Sequence, residues 1–320
     1  MPESEKSLIR RIRRLSAGGP AVVTGIGDDA AVLRIPSGHE MLVTTDFTIE
    51  NVHFRREWHS PALVGWRCLA RGLSDIAAMG GEPQAAFLSL AVGGDVHQKW
   101  VEGFLTGLLS LARRHGVPLA GGDTAQSAAG IQADIVVVGS VPKGKAVLRS
   151  GAAAGENIYV TGELGGAAMA LARLSKGRAL GKRDSRYFRP IPRVGVGRWL
   201  REHGIASAMI DVSDGLSTDL AHICEESRLG AELKMDAIPL ARTSGKGRVG
   251  LEYALHGGDD YELLFTSARR VPSKVAGVSI TRIGRTVKSA GMKIIDAQGK
   301  SAPLKVRGWE HFNEDGQVIL

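Results

Sequence analysis

The chain is poor in the residues that mark the commonest kinds of site. Its 320 residues include two cysteines, Cys68 and Cys224, which excludes a disulfide framework and a four-cysteine zinc site. Both fall in helical apolar patterns and read as buried structural thiols. Aromatic residues make up 5% of the chain, and no helix-turn-helix, zinc-finger or RNA-binding signature is present. No apolar run approaches the ~20 residues that span a membrane. Residues 1–20 carry Arg10, Arg11, Arg13 and Arg14 with no apolar core after them, so no secretory signal is expected there and the expected location is cytoplasmic. Also missing are a dinucleotide GxGxxG, a protein-kinase catalytic loop and an arguable Ser/His/Asp triad. Gly299, Lys300 and Ser301 end like a P-loop, but Ile294 stands where its first glycine belongs.

Charge and glycine are plentiful. There are 42 glycines, and 41 Lys+Arg against 33 Asp+Glu leave a net charge of +8. Residues 171–201 hold ten Lys or Arg and a single acid, Asp184. That stretch has two readings: a solvated helix and linker surface that attracts anionic substrates, or a nucleic-acid patch. Lacking any recognition signature, the chain is expected to have no nucleic-acid partner, and no membrane partner either.

A length of 320 residues suits two domains. Apolar periodicity predicts strands over residues 41–46, 85–92 and 134–141 and helices over 61–79 and 99–115, a first unit ending near residue 145. A second unit follows, with strands over 157–161, 210–213, 261–266 and 281–286 and helices over 166–175 and 216–227. The expectation is an α/β (α+β) protein of two domains, residues 1–145 and 146–320.

The acids of this basic chain recur in short Gly, Ser or Thr settings. They are Asp28 and Asp29 after Gly27; Asp46 after Thr44 and Thr45; Asp75 after Ser74; Asp123 between Gly122 and Thr124; Asp211 and Asp214 flanking Ser213; and Asp259 and Asp260 after Gly257 and Gly258. Converging carboxylates repel, and a hard divalent cation relieves the repulsion. Mg²⁺ takes oxygen ligands and is shared between one or two carboxylates and substrate phosphates. Each motif has a plainer reading as well. Asp28 and Asp29 could be an exposed turn, Asp75 a solvent-facing helix residue, and Ser213 or Asp214 the N-cap of the following helix. Asp259, Asp260 and Glu262 are costly unless they meet cations or donors. Taken together, the residues point to Mg²⁺-dependent phosphate chemistry on an α/β scaffold without a P-loop.

In this order and spacing, the motifs resemble the thiamine-monophosphate kinase family of the aminoimidazole-ribonucleotide-synthetase-like superfamily. They are GIGDDAAV (25–32), TTDF and NVHF (44–54), LSDIAAMGGEP (73–83), GGDT (121–124), LRSGA (148–152), DVSDGL (211–216) and HGGDDYEL (256–263). The resemblance implies an N-terminal domain whose sheet pairs with its copy in a homodimer, and a C-terminal domain closing over the nucleotide. It implies ATP as co-substrate, thiamine monophosphate as acceptor and several Mg²⁺ ions. Carried over by position, Asp29, Thr44, Thr45, Asp46, Asp75, Asp123, Asp211 and Asp214 are expected Mg²⁺ ligands. Gly122, Asp123, Arg149 and Ser213 are expected ATP contacts, and His53, Asp259 and Trp309 contacts to thiamine monophosphate. One position departs: the family carries Glu where this chain has Asp259, which keeps the charge but withdraws it by one methylene. Rival expectations are another synthetase of the superfamily or a non-catalytic nucleotide-binding regulator. Residues 1–40 contain no cysteine, which argues against a selenophosphate synthetase.

Overall fold

Two separate β-sheets organise the chain. The computed structural model describes residues 5–309 apart from 17 and 246. They divide into two units, one of residues up to Ile76 with Gly81–Lys145, the other of Ala77–Gly80 with residues from Ala146 onward.

The first unit opens with helix α1 (Glu5–Leu15), which buries Leu8 and Ile12 one turn apart. A short antiparallel ribbon follows, β1 (Val22–Thr24) with β2 (Val32–Leu33). Then come β3 (His39–Ile49), α2 (Pro61–Ala78), β4 (Glu82–Gly93), α3 (Gln98–His115), β5 (Leu119–Ser127) and β6 (Ile131–Pro142). Four of these strands form a sheet in the order β3-β6-β4-β5. It is antiparallel except where β4 runs parallel to β5. Helix α2 packs on one face: a Cβ added at Gly72 would sit 2.6 Å from the Val137 side chain and 3.6 Å from Thr44 Cγ2. The alternate residues of β3, namely Met41, Val43 and Phe47, are exposed at 57%, 59% and 59%. Period-two alternation thus gives this edge strand one covered face and one open, apolar face.

The second unit contains β7 (Asn157–Thr161), α4 (Gly166–Leu174), α5 (Val194–Glu202), β8 (Ala208–Asp211), α6 (Leu216–Ser227), β9 (Gly230–Lys234), α7 (Leu251–His256), β10 (Leu263–Ser267), β11 (Lys274–Val275), β12 (Val278–Val287), β13 (Gly291–Ile295) and β14 (Ser301–Pro303). Its sheet runs β14-β13-β9-β12-β7-β10-β8, with β11 paired to β12. Only β9 and β13 are parallel. Both faces of the central strands are buried. Ile158, Val160, Ile210 and Leu264 pack with Leu216, Leu220 and Ile223 of α6. Their alternates Tyr159, Met209 and Phe265 pack with Val196 and Leu200 of α5. The predicted strands and helices of both units are present, most of the strands longer than their apolar cores. The DVSDGL strand is displaced toward the N-terminus: it runs Ala208–Asp211 and stops at Asp211 rather than Ser213. The P-loop-like Gly299 and Lys300 lie in the turn between β13 and β14, where Asp296 Oδ1 accepts the Gln298 and Lys300 amides, and Ser301 opens β14.

Candidate active site

In the first unit, Thr44 and Asp46 lie two residues apart on β3 and turn toward α2, which carries Asp75. The Thr44 hydroxyl donates to Asp75 Oδ2. Burial, and then the neighbouring Asp75 charge, push the Asp46 carboxyl up to about 7, while Arg71 pulls the other way. The Arg71 guanidinium stays 4.0 Å from Asp46 Oδ1 and donates to the Phe47 carbonyl at 3.1 Å. Two crowded carboxyls are a donor set suited to a divalent metal. Thr45 lies on the opposite face, where its hydroxyl donates to Asp134 Oδ1 at 2.6 Å. The Thr44, Thr45, Asp46 triplet is therefore split between two faces of the sheet, as a pleated strand requires. Asp134 was missed from sequence. It sits inside an apolar run, and only strand register sets it beside Phe47 and Ser89.

Asp29 and Asp123 are exposed and make local bonds: the Asp29 amide donates to Asp28 Oδ1 at 3.0 Å and the Thr124 amide to Asp123 Oδ1 at 2.8 Å. Gly121 to Thr124 lie inside β5. Gly122 (φ 144°) lets that strand close on β4, since a Cβ there would sit 1.8 Å from the Leu88 carbonyl oxygen. His53 follows β3, and its Nδ1 accepts the Ile49 amide at 3.0 Å, which leaves a neutral ring its proton on Nε2.

In the second unit, β8 ends at the buried Asp211 and α6 begins at Leu216. Neither Ser213 nor Asp214 caps that helix. The capping residue is Gly215 (φ 115°), and no side chain caps it. Asp219 reaches back instead, its Oδ2 accepting the Asp214 and Gly215 amides at 3.2 and 3.1 Å. Burial first, then Asp211 and Asp214, push the Asp219 carboxyl up to about 8. Asp219 is a second residue that sequence missed. Its one signal was an acid in the first turn of an otherwise buried helix.

The two glycine-rich acidic motifs of this unit lie against each other. The Asp259 amide donates to the Ser213 carbonyl and the Tyr261 amide to that of Val212, both at 2.8 Å. A Cβ at Gly258 would sit 2.5 Å from the Ser213 oxygen, so only glycine permits the approach. Asp259 (φ 68°) and Tyr261 (φ 51°) hold left-handed backbone, and the Tyr261 hydroxyl donates to Asp259 Oδ1 at 2.9 Å. Trp309, remote in sequence, arrives at the same place: its amide donates to the Asp214 carbonyl at 3.0 Å. Ser213, Asp214, Asp259 and Trp309 are thus joined by backbone bonds.

The remaining acids are spoken for. Asp260 Oδ2 accepts the Gly165 amide at 2.6 Å, and burial raises its carboxyl well above the ordinary value. Glu262 Oε2 accepts Arg193 Nε at 2.7 Å and the Thr161 hydroxyl at 2.5 Å. Arg149 stands exposed in a 3₁₀ turn that Ser227 anchors through a 2.8 Å bond to its carbonyl. Among the described residues no three His, Cys, Asp or Glu side chains are placed to hold a metal. No helix among them is long and apolar enough to cross a membrane.

Residues 27–141 match the N-terminal domain of AIR synthase related proteins, and residues 153–296 the C-terminal domain. A curated thiamine-monophosphate kinase of Salmonella typhimurium is 37% identical, over 96% of this chain and 98% of its own length. The crystal structure of the thiamine-monophosphate kinase from Stenotrophomonas maltophilia K279a superposes with a TM-score of 0.82 at 34% identity, covering 94% of this chain and 99% of that one. AaThiL complexed with AMPPCP and TMP gives a TM-score of 0.76 at 30% identity, over 96% and 97% of the two chains.

Proposed function

The chain belongs to the AIR synthase related family, among its thiamine-monophosphate kinases, and we propose on that premise that it moves the γ-phosphoryl group of ATP onto thiamine monophosphate. The products are thiamine diphosphate and ADP. The crowding of Asp46 against Asp75, with the Thr44 hydroxyl on the same carboxylate, carries the reading, because paired carboxylates suit phosphates arriving with Mg²⁺. Bound there, Mg²⁺ would neutralise and template the two polyanions.

The residues divide the remaining work. Thr44, Asp46 and Asp75 would hold metal in the first unit, with Asp29 and Asp123 supplying further oxygens; Thr45, whose hydroxyl is turned to Asp134 on the other face, would contribute only its main-chain oxygen. Asp211 and Asp214 would hold metal in the second. Gly122 and Asp123, and separately Arg149 and Ser213, would contact ATP. In the second unit, Asp259 would meet thiamine monophosphate from a carboxylate already oriented by Tyr261, and Trp309 would lie against its cationic ring. His53 would offer its Nε2 proton to the same substrate. The acceptor is a phosphate monoester with a second pKa near ~6, largely ionised at neutral pH, so no general base is required. A hydroxyl acceptor would require one. Because the reaction consumes ATP, we place it in the cytoplasm.

Purified protein with ATP, Mg²⁺ and thiamine monophosphate should yield thiamine diphosphate by chromatography, with free thiamine turned over far more slowly. Comparable turnover of free thiamine would point to an ordinary alcohol kinase, and no transfer at all to a non-catalytic nucleotide-binding protein. The exposed Met41, Val43 and Phe47 on edge strand β3 support a second proposal, that two copies join through this sheet. Light scattering should give a dimeric mass, and Val43→Glu should shift it toward the monomer.

A further inference from the structure

The basic stretch at residues 171–201 plays no part in the transfer described above. Three of its cations, Arg173, Lys176 and Arg178, line a cavity of about 330 Å³ in the second unit, and Arg248 joins them from far along the chain. Among the described residues no acid lines the cavity, nor does any residue proposed above for Mg²⁺, ATP or thiamine monophosphate. Asp184, the one acid of the stretch, is fully buried and built into the frame. Its carboxylate accepts the Ser244 amide at 2.8 Å and the Gly181 amide at 3.3 Å, and lies 3.5 Å from Arg173 Nη1. The Tyr187 hydroxyl donates to the Arg242 carbonyl at 2.7 Å. These bonds clasp the segment after α4 to the segment before α7, so the cavity walls are held by long-range contacts. Met169 and Val249 are buried, and with the ring of Tyr253 they supply an apolar side. Arg173 Nε is buried with no hydrogen-bond partner among the described residues, and a donor left in that state is costly.

We propose that this cavity is a second anion site, binding a small phosphate-bearing ligand whose apolar part rests on Met169, Val249 and Tyr253. Guanidinium groups offer forked donors that match phosphate oxygens. A concave volume of this size with an apolar side suits a small molecule better than a polynucleotide backbone.

Calorimetry on the full chain in Mg²⁺-free buffer, with phenyl phosphate and inorganic phosphate as probes, tests the assignment. The wild type should bind phenyl phosphate more tightly than inorganic phosphate. Arg178→Ala/Arg248→Ala should weaken phenyl phosphate by at least about tenfold, while Asp46→Asn binds it as the wild type does. Kinase turnover of the double variant should be unchanged. Both arginines are solvent-exposed, and Lys176→Ala, equally exposed, serves if the double variant unfolds early. Equal affinity in wild type and variants overturns the proposal, as does absence of binding to the wild type. So does single-stranded oligonucleotide binding that outcompetes phenyl phosphate and is lost in the same variants, which would make the stretch a nucleic-acid surface.

Discussion

Glu262 and Asp46 are both acids in the motif-rich segments, yet their surroundings are opposite. Glu262 receives both ends of the Arg193 fork and the Thr161 hydroxyl. Asp46 has another carboxylate beside it, with Arg71 4.0 Å away, and its carboxyl is pushed up to about 7. Asp260 belongs with Glu262, since a backbone amide meets it in the interior. Asp219 belongs nearer to Asp46: it has two amide donors, and Asp211 and Asp214 still crowd it. An acid-rich motif is therefore not in itself a site. Acids that serve the fold come with donors or cations supplied by the protein. Acids that crowd other acids leave a charge deficit that a metal can fill.

Arg193→Ala breaks the comparison on the structural side and should have the largest effect. It strands a buried Glu262, and loss of one partner of a buried pair costs about 3–5 kcal/mol. Urea unfolding should show that loss, while folded enzyme keeps near-normal turnover. A loss under about 1 kcal/mol, the worth of a surface pair, would mean that Glu262 is not held as described. On the other side, Asp46→Asn and Asp75→Asn should each cut turnover by about 10²–10³. Their melting temperature in Mg²⁺-free buffer should hold or rise, because like-charge crowding is relieved. Near-normal rates at saturating Mg²⁺ would remove that residue from the site. The smallest effect sharpens the account of the second unit. Trp309→Ala should raise the KM for thiamine monophosphate several-fold, in line with the about 0.5–2 kcal/mol of a cation–π contact, and leave that for ATP nearly unchanged. Its backbone bond to Asp214 survives the substitution. Equal weakening of both substrates would return Trp309 to a structural role.

Much of the fold was legible because burial imposes a period. Leu216, Leu220 and Ile223 announced α6, and the β-branched run near residue 135 announced β6. Shorter elements escaped. The residues of β9, β13, β14 and α7 run too few to establish a period, and their pairing is set by distant strands. The site was half legible. Runs such as Thr44, Thr45, Asp46 and Asp211, Ser213, Asp214 stood out by composition. Their partners did not: Thr45 meets Asp134, and Asp219 takes the Asp214 and Gly215 amides at the start of α6.

By itself the sequence determined where carboxylates and glycines concentrate, which faces of strands and helices are apolar, and, through seven ordered motifs, the family. Those are local properties, written in spacing. Which acids crowd one another, which are neutralised by Arg193 or a backbone amide, and how Trp309 comes to Asp214 were decided only in the tertiary structure. The same is true of Arg248 joining Arg173, Lys176 and Arg178 around one cavity. Strand register and helix packing choose partners tens to a hundred or so residues apart, and no local pattern encodes that choice.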